Sequence, residues 1–298
     1  MNWDDVRVFL AIAQATSLAA GARAAGLDRS TASRRIAALE RALEARLFLR
    51  TRDGLRLAPA GQRLIAHAEL MSSGARGLES TALEDGGELR GHVRLATTDS
   101  LAAMLVRGGL IELATRHPRL ELELLGDNRV VDLARGEADL ALRIAKVHEP
   151  SLRVQRVARL PFGVFASERY LARAGRPKTE LELAGHDVVT YANELAALPE
   201  AKWLRDRAGV RVVLRTTSVT ALLSAVLDGA GLAVIAGGWA AIQLGLTCVF
   251  EIPALAPRAL WLAMHPDAAG RAAVRAVADH VRAIVKRGER TGATAARA

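Results

Sequence analysis

The sequence predicts an α/β protein with a small helical domain at its N-terminus and a larger domain of alternating strands and helices behind it. Helical periodicity dominates roughly the first 82 residues, strand-like runs alternate with helices from Gly91 onward, and 298 residues are enough for two domains. Hydrophobic residues make up 51% and charged residues 24%. This balance is typical of a folded protein and excludes a disordered one.

Three helices are predicted at the N-terminus. The first begins at Trp3 and carries apolar residues at helical spacing. Ser17 is a suitable N-cap for a second helix over residues 18–25, and Gly26 permits a sharp turn after it. Asp28 then caps a third helix. The spacing of these elements predicts a helix-turn-helix.

The third helix has one apolar face and one polar face. The apolar positions follow the steps i, i+4, i+7 and i+11, at Ala32, Ile36, Leu39 and Leu43. The opposite face carries Arg29, Ser30, Ser33 and Arg34. Strand-like runs over 47–50 and 55–57 follow, with the turn-forming pair Asp53-Gly54 between them. Together these elements predict a winged helix-turn-helix over residues 1–58.

A long helix is predicted to follow the hairpin as a linker over residues 59–88. Pro59 fits its first turn, and residues 84–88 form its flexible end. A helix packed on its own domain and an inter-subunit coiled coil are both open interpretations, and the coiled coil is preferred although Gly74 and Gly77 weaken it. The apolar positions step by 4, 3, 4, 3 and 4 residues, which is a heptad pattern: Leu64, Ala68, Met71, Ala75, Leu78 and Ala82.

The remaining residues alternate between strands and helices, which favours parallel sheets flanked by helices. Two of the intervening segments are predicted helices, over residues 101–116 and 219–227. The predicted strands cover residues 92–97, 120–125, 139–144, 188–191, 210–215 and 232–235.

The charge of the chain favours a polyanionic partner. The formal net charge is +9, and the sequence pI is about 10.7. Residues 29–63 contain nine arginines, no lysine and three acidic residues. The planar guanidinium group suits phosphates and guanine edges, but the remaining chain is also basic, so charge alone does not localise a DNA-binding face.

Several function classes are not expected. No apolar run approaches the roughly 20 residues of a membrane span, and the first residues are acidic where a secretory signal is basic, so we expect a cytoplasmic protein with no membrane partner. The single cysteine, Cys248, lies in an apolar run and is expected in the core. Seven scattered histidines and the absence of a nucleophile-elbow or dinucleotide motif favour no enzyme, no cofactor and no metal.

Several sequence stretches recur together in one known family. They are SLAAGA at 17–22, LDRSTASRRI at 27–36, LE at 39–40, LFLR at 47–50, LARGEADLA at 133–141 and VLDGAGLA at 226–233. In this order, the stretches resemble the LysR-type transcriptional regulators, and the resemblance covers essentially the whole chain.

The resemblance implies a C-terminal effector-binding domain over residues 89–298, built like a periplasmic binding protein from two α/β subdomains. The expected crossovers between them lie near residues 160–161 and 265–266. Subdomain I would then comprise 89–161 and 266–298, and subdomain II would comprise 162–265. A final helix over about 267–286 would return to subdomain I.

The candidate DNA contacts lie on the third helix and the wing. A recognition helix presents its N-terminal residues to base edges in the major groove, although a solvated helix face has the same composition. Arg35 is expected on a phosphate rather than a base, and the wing arginines on the backbone or minor groove. The full set is Arg29, Ser30, Thr31, Ser33, Arg34, Arg35, Arg50, Arg52 and Arg56.

The candidate effector contacts lie where strands end and helices begin, because ligands of open sheets bind outside the carboxyl ends of strands and free helix N–H groups attract anions. For each residue a structural role is also open: a helix cap, a surface ion pair or a place in the core. The set is Thr98, Asp99, Ser100, Arg143, Phe162, Ser218 and Val219.

These observations predict a sequence-specific DNA-binding transcription regulator whose activity is modulated by a small-molecule effector. Its expected partners are double-stranded promoter or operator DNA and the effector, and the resemblance adds self-association as a dimer or tetramer and contact with RNA polymerase. The alternatives are a regulator that acts without a ligand, a general architectural DNA binder, and a small-molecule-binding protein or enzyme of the α/β type.

Overall fold

The computed structural model of the chain describes residues 2–15, 17–51, 54–82, 88–126, 131–133, 136–238, 241 and 244–295. It divides into two compact units. The N-terminal unit comprises Met1–Asp85 with Asp132–Glu137, and the C-terminal unit comprises Gly86–Val131 with Ala138–Ala298. Among the helices that the structure describes, none combines the length and apolar composition needed to cross a lipid bilayer.

The N-terminal unit has the predicted order of elements: α1 (Trp3–Ala15), α2 (Leu18–Ala24), α3 (Arg29–Ala42), β1 (Phe48–Thr51), β2 (Gly54–Leu57) and α4 (Pro59–Ala82). Gly26 has a φ of 70°, as expected for the turn between α2 and α3. A Cβ atom on Gly21 would lie 2.4 Å from the Ile12 Cα atom. The absence of a side chain there lets α2 pack directly on the backbone of α1.

The linker helix α4 packs partly on its own domain. Ala68 is buried in the N-terminal core, and Leu64 packs against the same core. At these two positions, the apolar strip therefore packs on its own domain, which is the alternative to an inter-subunit coiled coil that the sequence left open. Met71, one step further along the strip, is 38% exposed. The side chains at 78 and 82 lie outside the described residues.

The C-terminal unit contains ten strands in its described part. They are β3 (Arg90–Thr97), β4 (Arg119–Gly126), β5 (Leu140–Arg143), β6 (Arg153–Leu160), β7 (Phe162–Ser167), β8 (Asp187–Tyr191), β9 (Arg211–Thr216), β10 (Ala233–Ala236), β11 (Leu246–Glu251) and β12 (Arg258–Met264). Its α-helices are α5 (Asp99–Arg107), α6 (Leu110–Arg116), α7 (Glu168–Ala174), α8 (Pro199–Arg205), α9 (Val219–Leu227), α10 (Pro266–Ala269) and α11 (Ala272–Ala295). Two short 3-10 helices cover Glu180–Leu183 and Asn193–Ala197.

The helix predicted over residues 101–116 is in fact two helices. Gly108 ends α5, and Gly109 has a φ of 97° before α6 begins. A Cβ atom on Gly108 would lie 2.5 Å from the Ile284 Cγ2 atom of α11. The absence of a side chain at Gly108 lets the long C-terminal helix α11 approach the end of α5 closely.

The first sheet has the order β4-β3-β5-β12-β6. Strand β3 is parallel to β4 and β5, but β12 is antiparallel to both β5 and β6. The sheet therefore contains the predicted parallel pairing together with antiparallel pairing at β12. The chain leaves this sheet after β6 and returns to it as β12.

The second sheet repeats the same arrangement. Strands β10, β7 and β11 form an antiparallel sheet, and β8 and β9 form a parallel pair. A bridge between Val188 and Leu232 joins the two groups, with the Leu232 N–H donating to the Asp187 carbonyl at 2.8 Å. A Cβ atom on Gly231 would lie 2.4 Å from that carbonyl oxygen, so a glycine is needed for this approach.

One predicted crossover has to be moved. The first lies at Pro161, between β6 of the first sheet and β7 of the second. The second is predicted near residues 265–266, but β12 already pairs with β5 and β6 over residues 258–264. The chain therefore returns to the first subdomain between Glu251 and Arg258. The apolar residues of β12, Leu260 and Leu262, belong to the core of the first subdomain.

A buried ion pair ties the start of α11 to the first sheet. Arg271 donates from Nη1 to the Asp139 carboxylate at 2.7 Å, and both side chains are 6% exposed. The second carboxylate oxygen of Asp139 accepts from the Arg94 N–H at 2.8 Å. Arg271 also donates to the His92 carbonyl. These contacts satisfy two charges that burial would otherwise make costly.

Candidate functional site

The N-terminus of α3 is held by Asp28. Its carboxylate accepts from the Thr31 N–H at 2.8 Å and from the Ser30 hydroxyl at 2.6 Å. These hydrogen bonds hold the pKa of Asp28 well below its usual value. The first turn of the helix therefore has a fixed orientation at neutral pH.

An arginine-rich polar face follows this cap. Arg29 and Ser33 are exposed, and their side chains make no hydrogen bond or ion pair with the described residues. Arg34 is also exposed, and its Nη2 donates to the Thr31 hydroxyl at 3.1 Å. Thr31 therefore orients Arg34, while the Ser30 hydroxyl is engaged by Asp28.

Arg35 differs from the other arginines of this helix. Its Nη1 lies 3.3 Å from Asp5 Oδ1 and 3.6 Å from Asp4 Oδ2, and its side chain is 31% exposed. Asp5 itself is buried on α1. The structure thus places Arg35 in a contact that holds α3 against α1, where the sequence suggested a phosphate contact.

The wing is attached to α3 by Glu40, which is not among the predicted DNA contacts. Glu40 Oε1 accepts from the Leu47 N–H at 2.7 Å and from the Phe48 N–H at 3.3 Å. The fold uses this carboxylate to fix the first strand of the hairpin. Of the wing arginines, Arg56 is exposed, whereas Arg52 and the side chain of Arg50 lie outside the described residues.

A concave surface lies between the start of α2, the outer face of α3 and the wing. Its cations are Arg29 and Arg46. Arg46 belongs to the basic segment 29–63 but is not among the predicted DNA contacts. Leu49 adds an apolar side chain that is 47% exposed. The remaining lining residues are Ser17, Leu18, Ala19, Ser33, Ile36, Ala37, Glu40, Phe48 and Leu55.

The C-terminal unit contains a cavity with a volume of about 340 Å³. Its wall combines α5, β12 and the ends of β5 and β6 from the first subdomain with α8, α9 and the ends of β8 and β10 from the second. It therefore lies in the cleft between the two subdomains. Most of its lining is apolar: Leu101, Ala103, Met104, Ile144, Leu160, Leu195, Leu198, Val219, Leu223, Leu227, Ile235, Ala236, Ala241, Leu244 and Leu260.

A small polar group lies within this apolar wall. Arg258 Nη2 donates to both carboxylate oxygens of Glu200 at 2.7 Å, and the Glu200 side chain is 5% exposed. Tyr191 also lines the cavity, and burial raises its pKa to about 12. No strand or helix pattern signals Glu200 and Arg258, because they are 58 residues apart. Tyr191 could have been found as the last residue of a predicted strand.

Two of the seven predicted effector residues, Ser100 and Val219, line this cavity. Ser218 instead caps α9, where its hydroxyl accepts from the Ala221 N–H at 3.2 Å. Phe162 is 2% exposed in the core of the second subdomain, with the Arg258 guanidinium 5.5 Å above its ring. The expectation that Phe162 lines the cleft is therefore corrected. The members outside the lining are Thr98, Asp99, Arg143, Phe162 and Ser218.

Two protein-family models match this chain, one over each of the segments that contain the sites described above. The model described as "Bacterial regulatory helix-turn-helix protein, lysR family" matches residues 3–62, and the model described as "LysR substrate binding domain" matches residues 86–286. The chain belongs to the LysR family of transcriptional regulators. The concave surface lies in the family's helix-turn-helix domain, and the cavity lies in its substrate-binding domain.

Individual relatives agree with this LysR assignment. An HTH-type transcriptional regulator of Xanthomonas campestris is 31% identical over 61% of this chain, and the match spans about half, 53%, of that relative. The Mau operon transcriptional activator of Paracoccus denitrificans is 27% identical over 89% of this chain and 90% of its own length.

Solved structures show the same fold. A full-length variant of OxyR from Pseudomonas aeruginosa has a TM-score of 0.69 at 17% identity, covering 95% of each chain. ArgP from Mycobacterium tuberculosis has a TM-score of 0.60 at 17% identity, covering 94% of this chain and 96% of its own.

Proposed function

We propose that this LysR-family regulator binds a specific DNA sequence through α3 and the wing, and that a small molecule in the cavity of the C-terminal unit changes this binding. The observation that carries the proposal is the exposed face of Arg29, Ser33 and Arg34 on a helix whose first turn is fixed by Asp28. A preorganised row of donors on a recognition helix suits base edges in the major groove.

The arginines have different proposed roles. Arg29 and Arg34, near the start of α3, read base edges, and Ser33 adds a shorter hydrogen-bonding group between them. Arg46 and Arg56 are exposed beside this helix and bind phosphates. Arg35 is left out of this set, because its guanidinium lies between Asp4 and Asp5.

We also propose that the regulator acts as a dimer or tetramer on two-fold symmetric promoter or operator DNA, with RNA polymerase as a further partner. Self-association doubles the number of recognition helices and lengthens the DNA site that is read. The exposed Met71 on α4 supports contact beyond the part of the helix that packs on its own core. Because the proposed target is the chromosome, we place its action in the cytoplasm.

A ligand in the cavity can change the relative orientation of the two subdomains of the C-terminal unit. The wall includes α5 of one subdomain and α9 of the other, and the chain crosses between the subdomains at Pro161 and again before Arg258. A molecule that contacts both helices favours one relative orientation of the subdomains over others. We propose binding and regulation rather than catalysis, which the naming of the relatives as transcriptional regulators supports.

The test is selection of bound DNA from a random library with the full chain, followed by affinity measurements at one salt concentration. Arg34→Ala is expected to weaken binding to the selected motif by about 1–3 kcal/mol and to relax the preference at one base position. Arg116→Ala removes the same charge from an exposed position in the C-terminal unit and is the matched control. Recovery of salt-sensitive DNA without a motif would overturn the proposal in favour of a general DNA binder.

A further inference from the structure

The cavity of the C-terminal unit contains a hydroxyl group that the fold does not use. Tyr191 is 9% exposed and lines the cavity, and its hydroxyl makes no hydrogen bond to any residue that the structure describes. The other tyrosine is different, because the Tyr170 hydroxyl lies 3.0 Å from His186 Nδ1 and accepts from the Asp187 N–H at 2.9 Å. The hydroxyl oxygen remains accessible although the residue as a whole is buried, so it is open to a hydrogen-bonding group of a ligand in the cavity.

The ionic side chains of the described lining are paired or exposed. Arg258 and Glu200 neutralise each other at 2.7 Å, and the cation of Arg258 also lies over the Phe162 ring. Arg107, the third ionic residue, is exposed in the last turn of α5. An ionic ligand would therefore have to break the Arg258–Glu200 pair or remain near solvent.

The rest of the wall disfavours an ion. Leucine and methionine side chains cover it from both subdomains, including Leu101 and Met104 on α5 and Leu223 and Leu227 on α9. Moving an ion from water into such surroundings without a counter-charge is costly, whereas an apolar body gains free energy by burial.

From these contacts, we propose that the cavity binds an uncharged, largely apolar molecule that carries one hydrogen-bonding group, such as a hydroxyl or carbonyl, directed at the Tyr191 hydroxyl. The inference rests on the proposed function, because it specifies the class of the effector. At the start of α5, Asp99 is exposed and would repel an anion, and Thr98 and Ser100 contact each other at 3.3 Å.

Calorimetry with two probes of one ring system tests the inference. At neutral pH, 2-naphthol is uncharged and 2-naphthoate is an anion. The full chain is expected to bind 2-naphthol at least about tenfold more tightly than 2-naphthoate, because burial of the carboxylate is the main difference between them. Tyr191→Phe is expected to weaken 2-naphthol binding about three- to tenfold, the usual range for one hydrogen bond. The thermal midpoint of this variant should be unchanged, since the hydroxyl has no partner in the described fold.

A second variant controls for the place of binding. Ser224 is an exposed residue of α9 that lines the cavity, and Ser224→Trp is expected to obstruct it and abolish 2-naphthol binding without unfolding the protein. The inference is overturned if 2-naphthoate binds as tightly as 2-naphthol, if neither probe binds at millimolar concentration, or if 2-naphthol binding survives Ser224→Trp.

The result is separable from the proposed function, because the calorimetry contains no DNA. A regulator that selects one DNA motif but prefers the anionic probe would keep its proposed function and lose only the ligand class. A chain that binds 2-naphthol as expected but selects no DNA motif would keep the ligand class and lose the proposed function.

Discussion

The Glu40 carboxylate accepts a hydrogen bond from the Leu47 N–H at 2.7 Å, and this contact connects the recognition helix to the wing. The same oxygen accepts from the Phe48 N–H at 3.3 Å. One acidic side chain within a basic segment therefore helps to fix the orientation of the hairpin relative to α3, together with the packing of Leu47 and Phe48 in the core. This gives a structural reason for an acidic residue next to a surface proposed to meet phosphates.

Replacing Glu40 should loosen the wing. Glu40→Ala leaves two partly buried N–H groups without their acceptor, and we expect a loss of about 1–3 kcal/mol in the free energy of unfolding of the N-terminal unit. Hydrogen exchange at the Leu47 amide should accelerate in the same variant. Glu40→Gln keeps an acceptor oxygen and should lose less. Equal exchange rates in all three proteins would show that the carboxylate does not hold the strand.

Replacing one partner of the buried Asp139–Arg271 ion pair should lower the free energy of unfolding more than replacing both partners. Asp139→Asn leaves the Arg271 guanidinium buried without its counter-charge, and we expect a loss of about 3–5 kcal/mol in the free energy of unfolding. The double variant Asp139→Asn with Arg271→Met should recover part of that loss. Chemical denaturation of the single and double variants measures the coupling. Additive losses would contradict the pairing.

Two glycine-to-alanine substitutions should act in opposite directions. Gly21→Ala places a Cβ atom 2.4 Å from the Ile12 Cα atom and should destabilise the N-terminal unit by about 1–3 kcal/mol. A Cβ atom on Gly74 would meet no atom of the described residues within 4 Å, so Gly74→Ala should stabilise the helix α4 by about 0.5–1 kcal/mol. Thermal unfolding of both variants tests this. A stabilised Gly21→Ala protein would show that α1 and α2 are not in close contact.

The single cysteine should be unreactive in the folded protein. Burial raises the pKa of Cys248 to about 11, so the thiol is protonated at pH 8. Iodoacetamide, which reacts with the thiolate form, should therefore alkylate it slowly. Unfolding in urea should restore ordinary reactivity. Because the folded pKa is raised, the stability that the buried thiol contributes is present below pH 9 and declines as the pH rises through about 11. Rapid alkylation of the folded chain at pH 8 would contradict this assignment.

The two candidate sites differ in how far sequence could predict them. The surface residues on α3 are close in sequence and share one helix face, so periodicity and the Asp28 cap were sufficient to find them. The contacts of Arg35 with Asp4 and Asp5 could not be found from a local pattern, because these partners lie about 30 residues away on another helix. The cavity joins segments between residues 100 and 260, and only Ser100 and Val219 were selected for it.

Sequence alone determined the order of elements in the N-terminal unit, because caps, turns and apolar periodicity are local and each acts over a few residues. The stretches shared with the LysR-type regulators indicated the family. Only the tertiary structure decided the break at Gly108 and Gly109, the second crossover before Arg258, and the cavity with Tyr191, Glu200 and Arg258. These features depend on strand pairing and on contacts between side chains far apart in the chain. A local pattern carries no information on such contacts, since the same apolar strand can pair with either of two sheets.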